Sequence, residues 1–424
     1  MINRLRQQLA SEQSWFFVIV AIALTPLVQA LLTTTWDGFV TYPQAVIRVL
    51  SVVTILTQLF IVIVAMKLGL LRFIGSAVPA SAKLLLVLLF SSTICSVFLH
   101  RNMVIFSVFI TLRFFLQLAA LFSLIHILST LRPLNSDRYF KIMTCGMCLY
   151  VGYIIVIISM IVDYAIFNWS SGLPSATSIR HIGNYVAILS IAAMGVFLFA
   201  KPRLGWLALF AVFFVIAFLA WTGSRAAFVG LVFALPVAVF VVRNSVSARR
   251  ISVLVTTLVA AVLVTIPLPV PDAAYGYGLK RMVTATDARQ KGDISSGRKD
   301  VWKHTIEEIE QAPVFGHGAG RFIGNMDAKY KYDLDNPHNF ILQFAYDWGL
   351  IGAALALALL AMGIIGLFKL PMISPLATFC AVSGLMLMLS IGMLEGMFYH
   401  PLKMLLVSAL VAPAFALARL RTNS

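Results

Sequence analysis

Runs of about twenty mostly apolar residues recur along much of the chain, and no other feature constrains its fold as strongly. A helix needs roughly 20 apolar residues to cross a bilayer. Twelve stretches qualify: 15–33, 44–66, 82–98, 104–130, 141–162, 183–200, 204–221, 225–242, 252–270, 339–367, 375–394 and 398–418. The chain of 424 residues is 61% hydrophobic and only 11% charged. A water-soluble domain carries about 25% charged residues, so a soluble enzyme, a disordered tail and a disulfide scaffold are all excluded. The expectation is an all-α polytopic membrane protein with about twelve transmembrane helices. Residues 1–270 would hold spans one to nine, 271–337 one large loop, and 338–424 spans ten to twelve.

Lys and Arg number 32 against 16 Asp and Glu. Sorted by loop, sixteen basic residues fall in alternate loops and both tails, and Arg101, Arg180, Arg225 and Lys403 on the other side. By the positive-inside rule both termini face the cytoplasm. Topology thus accounts for the excess charge, and nucleic acid is not an expected partner; membrane lipid is. Cys145 and Cys148 have C-x-x-C spacing, but with Cys95 and Cys380 they lie in or beside apolar runs and read as small buried hydrophobes. There is no Cys/His metal set, P-loop or G-x-S-x-G elbow, so neither a metal nor another cofactor is expected.

The 271–337 loop carries ten basic and ten acidic residues and would lie outside the cytoplasm. Loops of this length are usually functional or disordered. A helix is expected over Arg298–Gln311, with Trp302, Ile306 and Ile309 on one face and Glu307, Glu308 and Glu310 on the other. Ser295-Ser296-Gly297 would start it and Pro313 would follow its end, making a small cap on the outer membrane surface.

Cations inside spans are costly and usually mark a pathway or a paired site. Arg48 lies just below the outer end of span two. Arg113 lies about nine residues, or roughly 13 Å at 1.5 Å per residue, below that of span four. With Arg101, Arg180, Arg225 and Arg298 they furnish the outer half with guanidinium groups, for which Asp163 and Glu395 are candidate partners. Snorkelling suits Arg101 but explains Arg113 poorly. Because Arg grips phosphate oxygens bidentately, an outward cavity for a multiply anionic ligand is expected.

Asp335-Asn336-Pro337-His338-Asn339-Phe340 gives the sharpest local signal. Asn336 is a good N-cap and Pro337 suits the first helical position, placing His338 in the first turn of span ten. The positive helix end disfavours an imidazolium there, leaving a neutral base; the alternative is a histidine that only caps the helix or meets lipid. In Trp221-Thr222-Gly223-Ser224-Arg225, Gly223 permits a tight turn and Ser224 is expected to cap span eight. Gly316-His317-Gly318-Ala319-Gly320-Arg321 reads either as a phosphate nest, with Arg321 as a ligand residue, or as an ordinary turn. Asp333-Leu334-Asp335 has metal-binding D-x-D spacing but reads better as capping. His400 and Glu395 flank the last outer hairpin; His126 and His304 read as incidental.

These elements together resemble the O-antigen ligase and polymerase superfamily of bacterial inner-membrane enzymes. The matching pieces are Gly223-Ser224-Arg225, Ser296-Gly297-Arg298 with Trp302, and Pro337-His338-Asn339 running into Asp347-Trp348-Gly349-Leu350-Ile351-Gly352, best over residues 170–370. The resemblance implies a membrane-embedded, metal-independent, inverting glycosyltransferase with a periplasmic loop and site. Its donor would be a glycan on undecaprenyl pyrophosphate, and its acceptor, in the ligase branch, lipid A–core oligosaccharide. It implies His338 as general base, with Arg225 and Arg298 on the pyrophosphate as catalytic residues. Arg180 looks like the family's basic position before span six and would be substrate-binding; Arg113, Arg48, Arg321 and Glu395 are candidate substrate-binding residues from their placement alone. The competing readings are an O-antigen polymerase, a protein O-oligosaccharyltransferase, a transporter or flippase of an anionic polyprenyl lipid, and a non-catalytic scaffold.

Overall fold

The computed structural model describes residues 2–34, 43–99, 103–130, 135–161, 173–176, 179–268, 298–331, 334, 336–396, 398 and 400–422, the side chains of 2–14, 43–51, 202 and 422 excepted. Arg101, Asp163, Ser295–Gly297, Asp333 and Asp335 fall outside these residues.

The described residues are helical, with no strand among them. In chain order they form α1 (Ile2–Thr33), α2 (Pro43–Lys67), α3 (Leu70–Ala77), α4 (Ala80–Leu99), α5 (Val104–Thr130), α6 (Ser136–Ser159), α7 (Ile179–Phe199), α8 (Pro202–Thr222), α9 (Arg225–Val242), α10 (Ala248–Leu263), α11 (Arg298–Gln311), α12 (Phe322–Tyr330), α13 (Phe340–Lys369), α14 (Pro375–Gly392) and α15 (Pro401–Thr422).

Ten of these helices are long and apolar enough to cross a membrane, or eleven if α2 and α3, bent by 81° at Leu68-Gly69, count as one span. The chain is an all-α polytopic membrane protein. The expected ninth span falls short: α10 has 16 residues and gives way to turns over 264–268.

The core is organised around α7, whose apolar window is 94% buried. It packs against α6, α8, α14 and α15, while α14 lies along α9 and α15 along α5. Lipid-driven hydrophobic collapse is weak within a bilayer, so close approach of small residues does this work. Gly195 of α7 lies against Leu376 and Cys380, and Gly230 of α9 against Leu387. The four cysteines are free; Cys380 is buried, whereas Cys95, Cys145 and Cys148 are exposed on the helix surfaces, a correction to the expectation that all four are buried.

Outside the spans, α11 has the expected bounds but not the expected inner face. Val301, Thr305, Glu308 and Ile309 are buried, and Ile306 is exposed. The reason is Glu308, whose carboxylate takes a charge-assisted bond from Lys329 of α12 and accepts from Gln311 at 3.1 Å and Tyr330 at 3.3 Å. With its charge matched, Glu308 can turn inward. Burial alone would raise its pKa; the hydrogen bond and charge of Lys329 outweigh that and hold it below the ordinary value.

The connection after α11 docks on a break in α13. Gly349 is non-helical, with φ 68°, a region open to glycine at no steric cost. The backbone N–H groups of His317 and Gly318 donate to the carbonyls of Tyr346 (2.8 Å) and Asp347 (2.9 Å), and that of Leu350 donates to Pro313 (2.7 Å). The Ser96 hydroxyl of α4 adds a 2.5 Å bond to the Asp347 carbonyl. The glycines of 316–320 therefore serve docking: two amides that a phosphate nest would need are spent on α13, and the ordinary-turn reading holds.

Candidate functional site

The chain places a basic cluster where α7, α9 and α13 begin and α14 turns into α15. Arg180 is the second residue of α7 and Arg225 the first of α9. Gly183 sets their separation, because it lies so close to Thr222 and Ser224 that a Cβ there would overlap both. Ser224 precedes Arg225, but its hydroxyl makes no capping bond. It donates instead to the Arg180 carbonyl at 3.3 Å and contacts Asn184 Oδ1 at 3.4 Å. This corrects the expected N-cap: the side chain staples the start of α9 to α7.

Asn184 in turn donates to Glu395 Oε2. Lys403 Nζ lies 3.6 Å from the same oxygen, and both side chains are buried. Lys403, expected as an outer-loop charge, is thus an internal ion-pair partner. Burial alone would push the Glu395 carboxyl up; Lys403 foremost, then His181, the Asn184 bond and His338 pull it down to about 2, so it is ionised. Each of these groups is within charge-interaction range of that carboxylate.

Arg298, which opens α11, joins the cluster. Burial lowers its proton affinity, Glu395 opposes this, and Arg180 and Arg225 add to it as like charges. His181 and His400 have ring centroids 4.1 Å apart. His400 sits well below the usual imidazole range, through burial first and then Lys403, His181, Arg113 and His338.

His338 is held differently from the sequence expectation. The N-cap of α13 is Asn339, which accepts from the N–H groups of Ile341 and Leu342. His338 thus precedes the helix instead of lying in its first turn. Asn336 accepts from the His338 N–H at 2.9 Å, a short side-chain turn of the kind Asn favours. His338 adopts φ 55°, which is uncommon for a residue with a Cβ. Trp302 of α11 donates its indole N–H to the Pro337 carbonyl at 2.8 Å. Gly396 lies directly against the Asn336 amide.

His338 and Arg298 thus interact with Glu395, and Arg180 and Arg225 interact with Arg298, so the four belong to one connected cluster. Arg113 of α5 borders this group through His400 and lines a small cavity with Gln117, Asp347, Trp348 and Phe398. Arg48 lies on α2, its side chain outside the described residues. Arg321 stands apart: it is buried, and its guanidinium donates to the carbonyls of His317 (2.9 Å) and Val97 (3.1 Å), so its visible work is to tie the cap to α4. His304 stacks on Tyr330 and His126 meets the Leu68 carbonyl at 3.0 Å.

The sequence reading passed over His181, Asn184 and Lys403. The signal available for the latter two was a polar or charged side chain inside an apolar run, which is costly unless paired.

Fold and site together define a polytopic membrane protein with arginines gathered about a histidine at one end of its helical bundle. Residues 209–357, roughly a third of the chain, match the family model described as O-antigen ligase. That match supports membership of the O-antigen ligase/polymerase superfamily and points in general to a glycosyltransferase-like enzyme. The match runs from within α8 to within α13 and includes Arg225, Arg298 and His338. Comparison with curated proteins gives no significant match.

Proposed function

We propose that the protein is an O-antigen ligase of the bacterial inner membrane. Both termini face the cytoplasm, and the large loop that includes residues 298–331 lies on the periplasmic side as a cap at the site. The donor is a glycan on undecaprenyl pyrophosphate and the acceptor is lipid A–core oligosaccharide.

The observation that carries this reading is one connected cluster in which Arg298 and His338 interact with the Glu395 carboxylate and Arg180 and Arg225 interact with Arg298. A lipid-linked diphosphate has its charge at headgroup depth and its isoprenoid chain in the bilayer. Cations at the end of a helical bundle suit the first, and apolar helix surfaces suit the second. Fixed guanidinium groups in a partly dry site stabilise a leaving diphosphate without reorganising.

In the proposed step His338 takes the proton of an acceptor hydroxyl. The hydroxyl oxygen bonds to the donor's anomeric carbon from the face opposite the pyrophosphate. The bond from that carbon to the pyrophosphate oxygen breaks with inversion, and its electron pair leaves on the diphosphate. Arg225 and Arg298 meet that charge, and Arg180 and Arg113 bind flanking parts of the substrates. A positioned base contributes about 10²–10⁴-fold. Because the arginines supply the positive charge, no metal is required.

An O-antigen polymerase would use the same donor chemistry with a second lipid-linked glycan as acceptor. Purified protein given lipid-linked glycan and lipid A–core, with chelator present, separates the readings. Glycan on the core supports the ligase, and longer lipid-linked chains support the polymerase. No transfer contradicts both and favours a transporter or scaffold.

A further inference from the structure

We infer that Glu395 is a positioning residue for His338: it offsets the charge of the surrounding cations and stabilises the imidazolium formed when His338 takes the acceptor proton. This rests on the reading of His338 as a general base.

Glu395 lies in the turn between α14 and α15 and is 6% exposed. A carboxylate so placed costs several kcal/mol unless it is paired and hydrogen-bonded, and this one is both, through Lys403 and Asn184. Geometry puts it beside His338: the adjoining Gly396 packs directly against the amide of Asn336, which accepts from the His338 N–H at 2.9 Å, and the carboxylate interacts electrostatically with His338, His181 and Arg298. The groups facing it therefore come from several elements: His181 and Asn184 of α7, Arg298 of α11, His338 before α13, and Lys403 of α15, with Arg180 reached through His181 and Arg298. Arg225 and His400 lie one neighbour further out.

That arrangement suits an electrostatic role better than ligand binding. A carboxylate repels a diphosphate, so evolution of a pure phosphate site would not place one among its arginines. It does suit a base that becomes cationic. Proton transfer would otherwise add a positive charge beside Arg180, Arg298 and Lys403. A nearby opposite charge favours the protonated form of the imidazole in a medium less polar than water. In the balanced step the proton leaves the acceptor oxygen and rests on an imidazole nitrogen of His338, while Glu395 stays ionised and transfers nothing.

The test is the pH dependence of glycan transfer by full-length protein in lipid bilayers, with lipid-linked glycan and lipid A–core. Glu395→Gln removes the anion, so His338 should hold its proton less tightly. The acid limb should move down by about one pH unit and kcat should fall, while KM for the anionic donor does not rise. Lys403→Met removes a neighbouring cation, so its limb should move the opposite way. Where Glu395→Gln does not accumulate in the membrane, the Lys403→Met shift decides.

An unmoved limb overturns the assignment even if activity is low, since a merely structural role lowers activity without moving the profile. A raised donor KM in Glu395→Gln overturns it in favour of substrate binding. Absence of transfer by the unaltered protein overturns the functional reading itself, a different and separately visible result.

Discussion

Trp302 donates its indole N–H to the carbonyl of Pro337, 2.8 Å away, and so ties the helix outside the spans to the residue immediately before His338. Arg298 stands one helical turn earlier on the same α11. The proposed base and one of its proposed phosphate ligands are thus registered by a single hydrogen bond. Trp302→Phe keeps the ring and loses the donor, about 1 kcal/mol. The expected outcome is a several-fold drop in transfer rate with unchanged protein in the membrane, measured as product per mole of protein; an unchanged rate would show that the tie is dispensable.

Asn336 holds His338 at φ 55°. A side chain in that region costs on the order of 1–3 kcal/mol and persists only where its surroundings over-determine it. Asn336→Ala should release it and lower kcat about tenfold, on the view that misplacement by an ångström costs even more. Asn336→Asp retains the acceptor oxygen and should recover part of the loss. Equal activity in both variants would mean that the turn does not position the imidazole.

How much of this was legible beforehand varies with the kind of information involved. Spans announce themselves because a bilayer demands length and apolarity together, which a sequence displays directly. The bounds of α11 followed from its periodicity, yet its inner face did not. Glu308 is buried because Lys329, 21 residues on, supplies the compensating charge, and no local pattern reports such a partner. Ser224 and Asn336 were read as caps because local rules favour them there. Tertiary partners took the Ser224 side chain, through Asn184 and the Arg180 carbonyl, whereas Asn336 was taken by a competing local turn with the His338 N–H. Arg321 looked like a ligand residue because an arginine in a glycine loop resembles an anion site; its guanidinium donates to the His317 carbonyl of that loop and to the Val97 carbonyl of α4, a distant partner that no local pattern reports. The cluster of Arg180, Arg225, Arg298 and His338 was inferred from sidedness and family likeness, not from spacing.

The Glu308–Lys329 pair should make the cap sensitive to acid. The folded-state pKa of Glu308 is depressed, so its contribution is fully present above the unfolded value, about 4.3. It is lost as pH falls through the folded value. Proteolysis within 298–331 should therefore accelerate below about pH 4 in the unaltered protein. Glu308→Gln should be cleaved faster at neutral pH, with a weaker dependence on acid. Identical profiles would remove the pair from the account of cap stability.

Gly183 lies where α7 meets the α8–α9 turn, and a Cβ there would overlap Ser224 and Thr222. Gly183→Val must push the turn away, and overpacking of this kind costs about 1–3 kcal/mol. The expected result is reduced thermal stability in detergent together with loss of transfer, since Arg180 and Arg225 flank the contact. Gly75, which has open space around it, is the control: Gly75→Ala should change neither.

The most direct test of the central claim separates binding from chemistry. Undecaprenyl diphosphate is titrated into purified protein, and transfer is measured on the same preparations. His338→Ala should bind the lipid diphosphate nearly as well as the unaltered protein and transfer nothing. The Arg225→Ala, Arg298→Ala double variant should lose most of the binding. Near-normal transfer by His338→Ala, or undiminished binding by the double arginine variant, would contradict the account.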